Sequence, residues 1–149
     1  MQLILFVGLQ GSGKSTFYQR QFADTHVRIN LDMLKTRNRE RLLFDACLAA
    51  KQPAVIDNTN PTPADRARYI APARALGFSV VGYYFQSRVE ECKQRNMQRP
   101  PERMVPLAGL LGTYSRLVRP TRQEGFDQLF YVRIDTDGQF KIEEWSDEV

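Results

Sequence analysis

The sequence has few residues that could crosslink the fold or anchor it in a membrane. Only two of its 149 residues are cysteine, Cys47 and Cys92, and both fall within helical patterns, so we expect buried thiols rather than a disulfide or a metal site. No apolar run approaches the ~20 residues that cross a bilayer. The apolar residues 3–7 are too short for a signal peptide and lack a basic region before them. We therefore expect a cytoplasmic protein with no membrane association.

Acidic residues are also scarce over most of the chain. Residues 1–122 carry 19 lysines and arginines against 9 acidic residues, a net charge of +10, whereas residues 123–149 carry 2 against 8, a net charge of −6. The basic part suits an anionic partner, although an ordinary solvated surface gives the same pattern. There is no internal repeat, low-complexity segment or long linker, which predicts a single domain over residues 1–149.

Short apolar runs alternate with stretches of helical periodicity along the whole chain. The runs predict strands at 3–7, 27–30, 54–57, 78–85 and 129–134, with a hairpin strand at 140–145. Helices are predicted at 13–22, 39–51, 63–76, 88–98 and 107–117. This alternation predicts an α/β fold with a mainly parallel sheet of about five strands and a C-terminal hairpin. Pro72, in the middle of the third long helix, predicts a kink or a break there.

The stretch GLQGSGKST, residues 8–16, fits the pattern G-x-x-x-x-G-K-[ST] between a buried strand and a helix. Lys14 is expected to bridge the β- and γ-phosphates of a nucleoside triphosphate, and Ser15 to ligate Mg²⁺. The residues assigned to phosphate binding are Gly8, Gly11, Ser12, Gly13, Lys14, Ser15 and Thr16. The motif N-K-x-D, which reads guanine in GTPases, is absent. The loop thus predicts a nucleotide without predicting the acceptor of its phosphate.

Two acidic residues follow predicted strands at the edge where sites of open α/β sheets gather. Asp32 comes just after the second strand and could accept the proton of an attacking hydroxyl, or it could simply cap a turn. Lys35, three residues on, would share its face in a helical turn and could hold an acceptor phosphate. Asp57 ends the third strand and could hold Mg²⁺ through water or orient groups on the acceptor side.

A basic helix end precedes a double-proline loop. Arg95 and Arg99 are four residues apart, which predicts that they share one helical face. Two guanidinium groups beside Pro100 and Pro101 could form a lid, at about residues 95–106, that closes on phosphates and neutralises charge during transfer. A solvated basic face is the alternative interpretation.

Taken together, these segments resemble the kinase domain of the 5′-hydroxyl polynucleotide kinases, a family with phage and mammalian members. The matching pieces occur in family order over most of residues 3–130: GLQGSGKST, INLDML, AVIDNTNPTPADRARYIAPARALG, QRNMQRPPERMVP and PTRQEGFD. The resemblance implies a three-layer, adenylate-kinase-like P-loop kinase fold with ATP and Mg²⁺ as cofactors. It also implies transfer of the γ-phosphate to the 5′-hydroxyl end of DNA or RNA, in nucleic acid repair, with no obligate protein partner.

The same resemblance implies roles for individual residues. Asp32 falls on the family's general base, and Asp57 falls on the acid of the acceptor side. Lys14 and Ser15 fall on the phosphate and Mg²⁺ ligands. Arg95 and Arg99 fall on the paired lid arginines, of which Arg99 also touches ATP. Lys35 stands where the phage enzyme carries an arginine that touches the acceptor phosphate, and Leu31 where the family often has arginine.

The acceptor therefore stays open at the level of sequence. Because lysine does not bind phosphate bidentately as arginine does, Lys35 leaves a small-molecule kinase for a sugar, metabolite or antibiotic as the alternative. A nucleotide-binding regulatory module without transfer activity is a third possibility. Tyr69, Phe85 and Tyr114 are the aromatic residues that could stack on a terminal base, with core packing as the other interpretation of each.

Overall fold

The structure, a computed structural model, describes residues 1–147. The last two residues of the domain predicted over 1–149 lie outside that range. The strands are β1 (Gln2–Val7), β2 (Val27–Ile29), β3 (Ala54–Ile56), β4 (Ser79–Phe85), β5 (Gln128–Ile134) and β6 (Phe140–Glu144). They form one sheet in the order β2-β3-β1-β4-β5-β6, parallel except for β6, which pairs antiparallel with β5. The predicted α/β fold, its mainly parallel sheet and its C-terminal hairpin are confirmed.

Six α-helices connect and cover these strands within residues 1–147. They are α1 (Lys14–Gln21), α2 (Leu31–Leu34), α3 (Arg37–Ala49), α4 (Pro63–Ala75), α5 (Val89–Met97) and α6 (Leu107–Arg116). Short 3-10 turns occupy Pro101–Arg103 and Arg122–Glu124. None of the helices in the described part of the chain combines the length and the hydropathy needed to cross a bilayer.

Strand β1 is central, and its residues alternate between two cores. Leu3, Leu5 and Val7 pack with buried residues of α3 and α4 on one face of the sheet. Ile4 and Phe6 pack with buried residues of α1 on the other face. Both faces are therefore covered, which is why this strand is an uninterrupted apolar run. The result is the expected three-layer arrangement, and it places the loop after β1 at the middle of the sheet edge.

Helix α4 runs without a break through Pro72, so the break that the sequence predicted does not occur. The helix starts strongly, because Thr62 and Asp65 form a reciprocal capping box and Pro63 occupies the first turn. Because Pro72 has no backbone N–H, the carbonyl of Arg68 loses its helical hydrogen bond. Both Pro72 and Arg68 are exposed. Water can reach that carbonyl, and the packed residues on the opposite side of α4 hold the helix together.

A buried ion pair fastens α4 to the polypeptide around it. Arg66 has no exposed surface and donates to both carboxylate oxygens of Glu124, at 2.7 and 3.2 Å. Its third hydrogen bond, 2.9 Å long, reaches the carbonyl of Asn60. Arg66 thus ties the 3-10 turn at residues 122–124 to the loop that follows β3.

Replacing Arg66 by alanine should destabilise the protein by about 3–5 kcal/mol, because Glu124 is left without its cation in a largely buried position. The measurement is the free energy of unfolding in urea. Arg74→Ala, on the same helix, is the matched control. Its ion pair with Asp127 is about half exposed, so its loss should cost less than about 1 kcal/mol. Equal losses in the two variants would contradict this account of Arg66.

Candidate active site

The loop between β1 and α1 adopts backbone conformations that require glycine. Gly11 has φ +80° and Gly13 has φ +100°, values that residues with a Cβ rarely adopt. A Cβ on Gly11 would also collide with the carbonyl of Cys92 in α5. Gly13 precedes the first residue of α1, so the loop ends at a helix N-terminus, where backbone N–H groups favour an anion. The geometry matches the predicted phosphate loop.

Lys14 lies buried inside this loop. Its Nζ donates hydrogen bonds to the carbonyls of Gly8 and Leu9, at 2.9 and 2.6 Å. The pKa of Lys14 is lowered to about 8, mainly by burial and in smaller part by the charge of Arg99, against the opposing effects of Asp57 and Asp32. The structure therefore brings the charges of Asp57, Asp32 and Arg99 close enough to Lys14 to affect its pKa.

Asp57 follows β3 and is almost completely buried. Its Oδ2 accepts hydrogen bonds from Ser15 Oγ at 3.1 Å and from Arg28 Nε at 2.8 Å. Arg28 Nη2 also donates to Ser15 Oγ at 2.9 Å, which closes a triangle of three side chains. The side-chain amide of Asn30 donates to the Asp57 carbonyl at 2.6 Å. Asp57 thus joins β2, β3 and the start of α1.

The donor set at this point suits Mg²⁺. Ser15 and Asp57 present a hydroxyl and a carboxylate oxygen side by side, and Mg²⁺ prefers oxygen ligands that leave room for water and phosphate. Residues 1–147 contain no cluster of three or more His, Cys, Asp or Glu side chains suited to a metal. The residues therefore fit an ion that enters with a nucleotide better than an ion caged by protein alone.

The side chain of Asp32 is exposed on α2, and α2 itself has a firm start. Asn30 caps it by accepting from the Met33 N–H at 2.9 Å, and Asn58 accepts from the Leu31 N–H at 2.9 Å. Asp32 is therefore an accessible carboxylate on a fixed support. Lys35 ends α2, is also exposed, and has the unusual φ of +76°.

Asn58 is held in turn by a buried carboxylate. Glu40 of α3 is 2% exposed and accepts hydrogen bonds from Asn58 at 2.8 Å, Tyr69 at 2.7 Å and Arg37 at 2.8 Å. A buried charge needs such partners. The network connects α3 and α4 to the start of α2 and so fixes the helix that carries Asp32.

The two residues after Asn58, Thr59 and Asn60, fix the phosphate loop. The Thr59 carbonyl accepts from the Gly8 N–H at 3.0 Å. The side-chain amide of Asn60 donates to the Phe6 carbonyl at 2.8 Å. The stretch 57–60 therefore contacts both the phosphate loop and the support of Asp32.

The two predicted lid arginines lie beside the phosphate loop but not on one helical face. Arg95 belongs to α5 and donates to the Gly11 carbonyl at 3.2 Å. Arg99 lies beyond the end of α5 at Met97, so the shared face inferred from their spacing is wrong. Arg99 nevertheless acts electrostatically on both Lys14 and Cys92. Arg99 precedes Pro100, and the residue before a proline is disfavoured in the helical conformation. The side chain of Asn96 forms two hydrogen bonds with the backbone of Val105 and so fixes the loop that follows α5.

Of the three aromatic residues considered for stacking, two are core residues. Tyr69 is 1% exposed and Phe85 is fully buried, whereas Tyr114 on α6 is 48% exposed.

The sequence interpretation missed Arg28, Asn58 and Glu40. An arginine between two apolar residues of a very short strand was the signal for Arg28, and the amide-rich stretch 58–60 after a buried strand was the signal for Asn58.

This geometry agrees with comparisons to known proteins. Residues 3–120 match the sequence profile of an AAA domain family, AAA_33. The chain belongs to this family. It is also 30% identical, over 129 residues, to the bifunctional polynucleotide phosphatase/kinase of Schizosaccharomyces pombe. That alignment covers 84% of this chain and 32% of the relative, so the chain spans about a third of the relative's length. The resemblance noted in the sequence is confirmed.

Solved structures agree on the fold. Kti12 of Chaetomium thermophilum, solved in complex with ADP-AlF3, has a TM-score of 0.67 at 18% identity, over 91% of this chain and 92% of Kti12. A gluconokinase of Sinorhizobium meliloti has a TM-score of 0.61 at 19% identity, over 91% and 83%. At these identities the likeness shows the fold alone, which this chain shares with Kti12 and the gluconokinase.

The lowered pKa of Lys14 makes nucleotide binding pH-dependent. Phosphate oxygens beside Lys14 favour its charged form and raise its pKa in the complex. The affinity should be constant below pH about 8 and should fall as the pH rises above it, by up to about tenfold per pH unit, with proton uptake on binding. Calorimetry with a non-hydrolysable ATP analogue, in two buffers of different ionisation enthalpy, measures both quantities.

Lys141→Gln, which changes an exposed lysine of β6, is the control and should keep the wild-type pH profile. Lys14→Gln should bind weakly at every pH and lose the pH dependence. A wild-type affinity that does not change between about pH 7 and about pH 9.5 would contradict the expectation.

Proposed function

We propose that the protein is an ATP-dependent polynucleotide 5′-hydroxyl kinase that transfers the γ-phosphate of ATP to the 5′ end of DNA or RNA. The observation that carries the proposal is the surroundings of Asp32. This carboxylate is exposed, acts on the charge of Lys14 in the phosphate loop, and begins a strongly basic stretch of surface.

The basic stretch covers residues 35–41. Its basic side chains are Lys35, Arg37, Arg39 and Arg41, and all four residues are exposed. Its one acidic residue, Glu40, is buried in the network described above. A solvent-facing surface with this excess of positive charge suits a polynucleotide acceptor, whose backbone carries a series of phosphates. A small neutral acceptor would gain little from it.

The likeness to the bifunctional phosphatase/kinase of S. pombe supports the same choice. Both the phosphate loop and Asp32 lie inside the residues matched by the family profile, and a phosphate loop binds the nucleotide that a kinase uses as its phosphate donor. The proposal therefore takes the kinase half of that relative's name and leaves the phosphatase half aside.

In the proposed reaction the 5′-oxygen forms a bond to the γ-phosphorus, the bond between that phosphorus and the β,γ-bridging oxygen breaks, and ADP leaves. Asp32 accepts the proton of the 5′-hydroxyl. Lys14 binds the β- and γ-phosphate oxygens, and Arg95 and Arg99 neutralise charge on the transferring group.

Ser15 would hold Mg²⁺ directly, and Asp57 would do so through water or orient the acceptor side. When bound, Mg²⁺ neutralises charge on the β- and γ-phosphate oxygens. The chain's own residues still have to align the 5′-oxygen with the phosphorus, because catalysis of phosphoryl transfer rests mainly on positioning and charge.

Labelled ATP should transfer its γ-phosphate to 5′-hydroxyl DNA or RNA oligonucleotides and not to the same oligonucleotides carrying a 5′-phosphate. Asp32→Asn should lower kcat by about 10²–10⁴-fold, the usual contribution of a general base, and leave ATP affinity nearly unchanged. Transfer is followed by gel electrophoresis and ATP affinity by calorimetry.

Sugars and nucleosides tested in the same assay distinguish the alternatives. Transfer to one of them with none to oligonucleotides would make the protein a small-molecule kinase. A folded protein that binds ATP and phosphorylates no acceptor would instead be a regulatory module. If turnover survives Asp32→Asn, the general base is another residue.

The double variant Arg39→Gln/Arg41→Gln should raise KM for a long single-stranded acceptor and leave kcat almost unchanged. For every acceptor phosphate that an arginine no longer binds, the salt dependence of log KM should also decrease by about 0.7. The KM for a dinucleotide acceptor should change less, because a dinucleotide offers far fewer phosphates to this surface than a long acceptor does.

Arg74→Gln/Arg133→Gln removes the same charge from exposed arginines on α4 and β5 and serves as the control. Equal effects of the two double variants on the long acceptor would mean that net charge, rather than the surface at residues 35–41, determines acceptor binding.

A further inference from the structure

Arg28 occupies a position that the phosphoryl-transfer scheme above does not use. Its guanidinium donates to Asp57 Oδ2 at 2.8 Å and to Ser15 Oγ at 2.9 Å. The Ser15 hydroxyl donates its own proton to Asp57 at 3.1 Å. A cation of this chain is therefore bound to the two oxygens that best fit Mg²⁺.

Arg28 and Mg²⁺ cannot both bind Ser15 Oγ closely. A Mg²⁺ ligand lies about 2.0–2.1 Å from the ion, and the guanidinium nitrogen lies 2.9 Å from the same oxygen. Two cations on one hydroxyl repel each other at such short distances. The octahedral shell of Mg²⁺ also needs the space around that oxygen.

The surroundings of Arg28 allow it to leave Ser15. Its side chain is 25% exposed, and its guanidinium lies 5.9 Å from the centre of the Tyr18 ring. Because part of the side chain already faces water, the guanidinium can move toward solvent on that side. The contact with Asp57 can persist through Nε while the contact with Ser15 breaks.

We propose that Arg28 is a displaceable internal cation: it holds Ser15 and Asp57 while the nucleotide site is free, and Mg²⁺ arriving with the nucleotide displaces it from Ser15. The inference rests on the assignment of Mg²⁺ to Ser15 in the proposed function. Its consequence is that Arg28 competes with Mg²⁺, so the metal binds with the nucleotide rather than before it.

The test measures the affinity of a non-hydrolysable ATP analogue by calorimetry at increasing Mg²⁺ concentrations, with no acceptor present. Arg28→Lys keeps the charge beside Asp57 but cannot make the forked contact with Ser15. Arg28→Gln removes the charge as well. In both variants, the Mg²⁺ concentration that gives half of the full increase in affinity for the ATP analogue should fall by about tenfold. A change of this size corresponds to the free energy of one charge-assisted hydrogen bond. Neither should tighten binding in EDTA.

Arg20→Gln removes an exposed charge from the end of α1, where the guanidinium lies over Phe140, and should behave as wild type. If Arg28→Gln lowers the Mg²⁺ requirement and Arg28→Lys does not, the effect is one of charge alone and displacement is overturned. If the Mg²⁺ requirement for nucleotide binding is unchanged in both variants, the proposed displacement of Arg28 is overturned as well. Wild-type nucleotide binding that ignores Mg²⁺ overturns the metal assignment of the proposed function, and this inference with it.

Discussion

The site is built around one buried negative charge, the carboxylate of Asp57. A carboxylate that is only 2% exposed has to be hydrogen-bonded and paired, because burying it alone would cost several kcal/mol or more. Ser15 and Arg28 supply those contacts from α1 and β2. The requirement therefore brings the phosphate loop, the end of β3 and the neighbouring edge strand into one arrangement. The loop glycines permit that arrangement, and the carboxylate holds it in place.

A second buried charge, Glu40, extends the same logic to the acceptor side. Its partners on α4 and after β3 leave Asn58 with one fixed orientation, and Asn58 then holds the first N–H of α2. Asp32 itself makes none of these contacts and faces solvent. Fixed buried support under an accessible carboxylate is what positioning in phosphoryl transfer requires, and here the support comes from polar residues rather than from apolar packing.

The sequence reveals the parts of this molecule that local patterns encode. The glycine-rich turn before α1, the apolar run at residues 3–7 and the start of α4 at Pro63 each have a short-range physical cause, and the structure contains each of them. Pro72 does not break α4, because its tolerance depends on which face of the helix meets water. Arg99 was misplaced because its position before Pro100, which disfavours the helical conformation, was not weighed. Arg28 was missed because its meaning comes from Asp57, 29 residues further along the chain.

The donor and acceptor halves of the site differ in how much the fold determines them. Kti12 and a gluconokinase share this fold, and a fold does not determine function by itself, so the fold accounts for the phosphate loop and not for the acceptor. In the proposed function the acceptor half rests on residues 31–41. There Lys35 has a φ of +76° and a ψ of −35°, a sparsely populated conformation that costs a non-glycine residue about 1–3 kcal/mol, and such strain tends to persist at functional positions. Because a lysine offers a point charge rather than a bidentate clamp, binding of the proposed acceptor would depend less on one residue than on the exposed arginines that follow it.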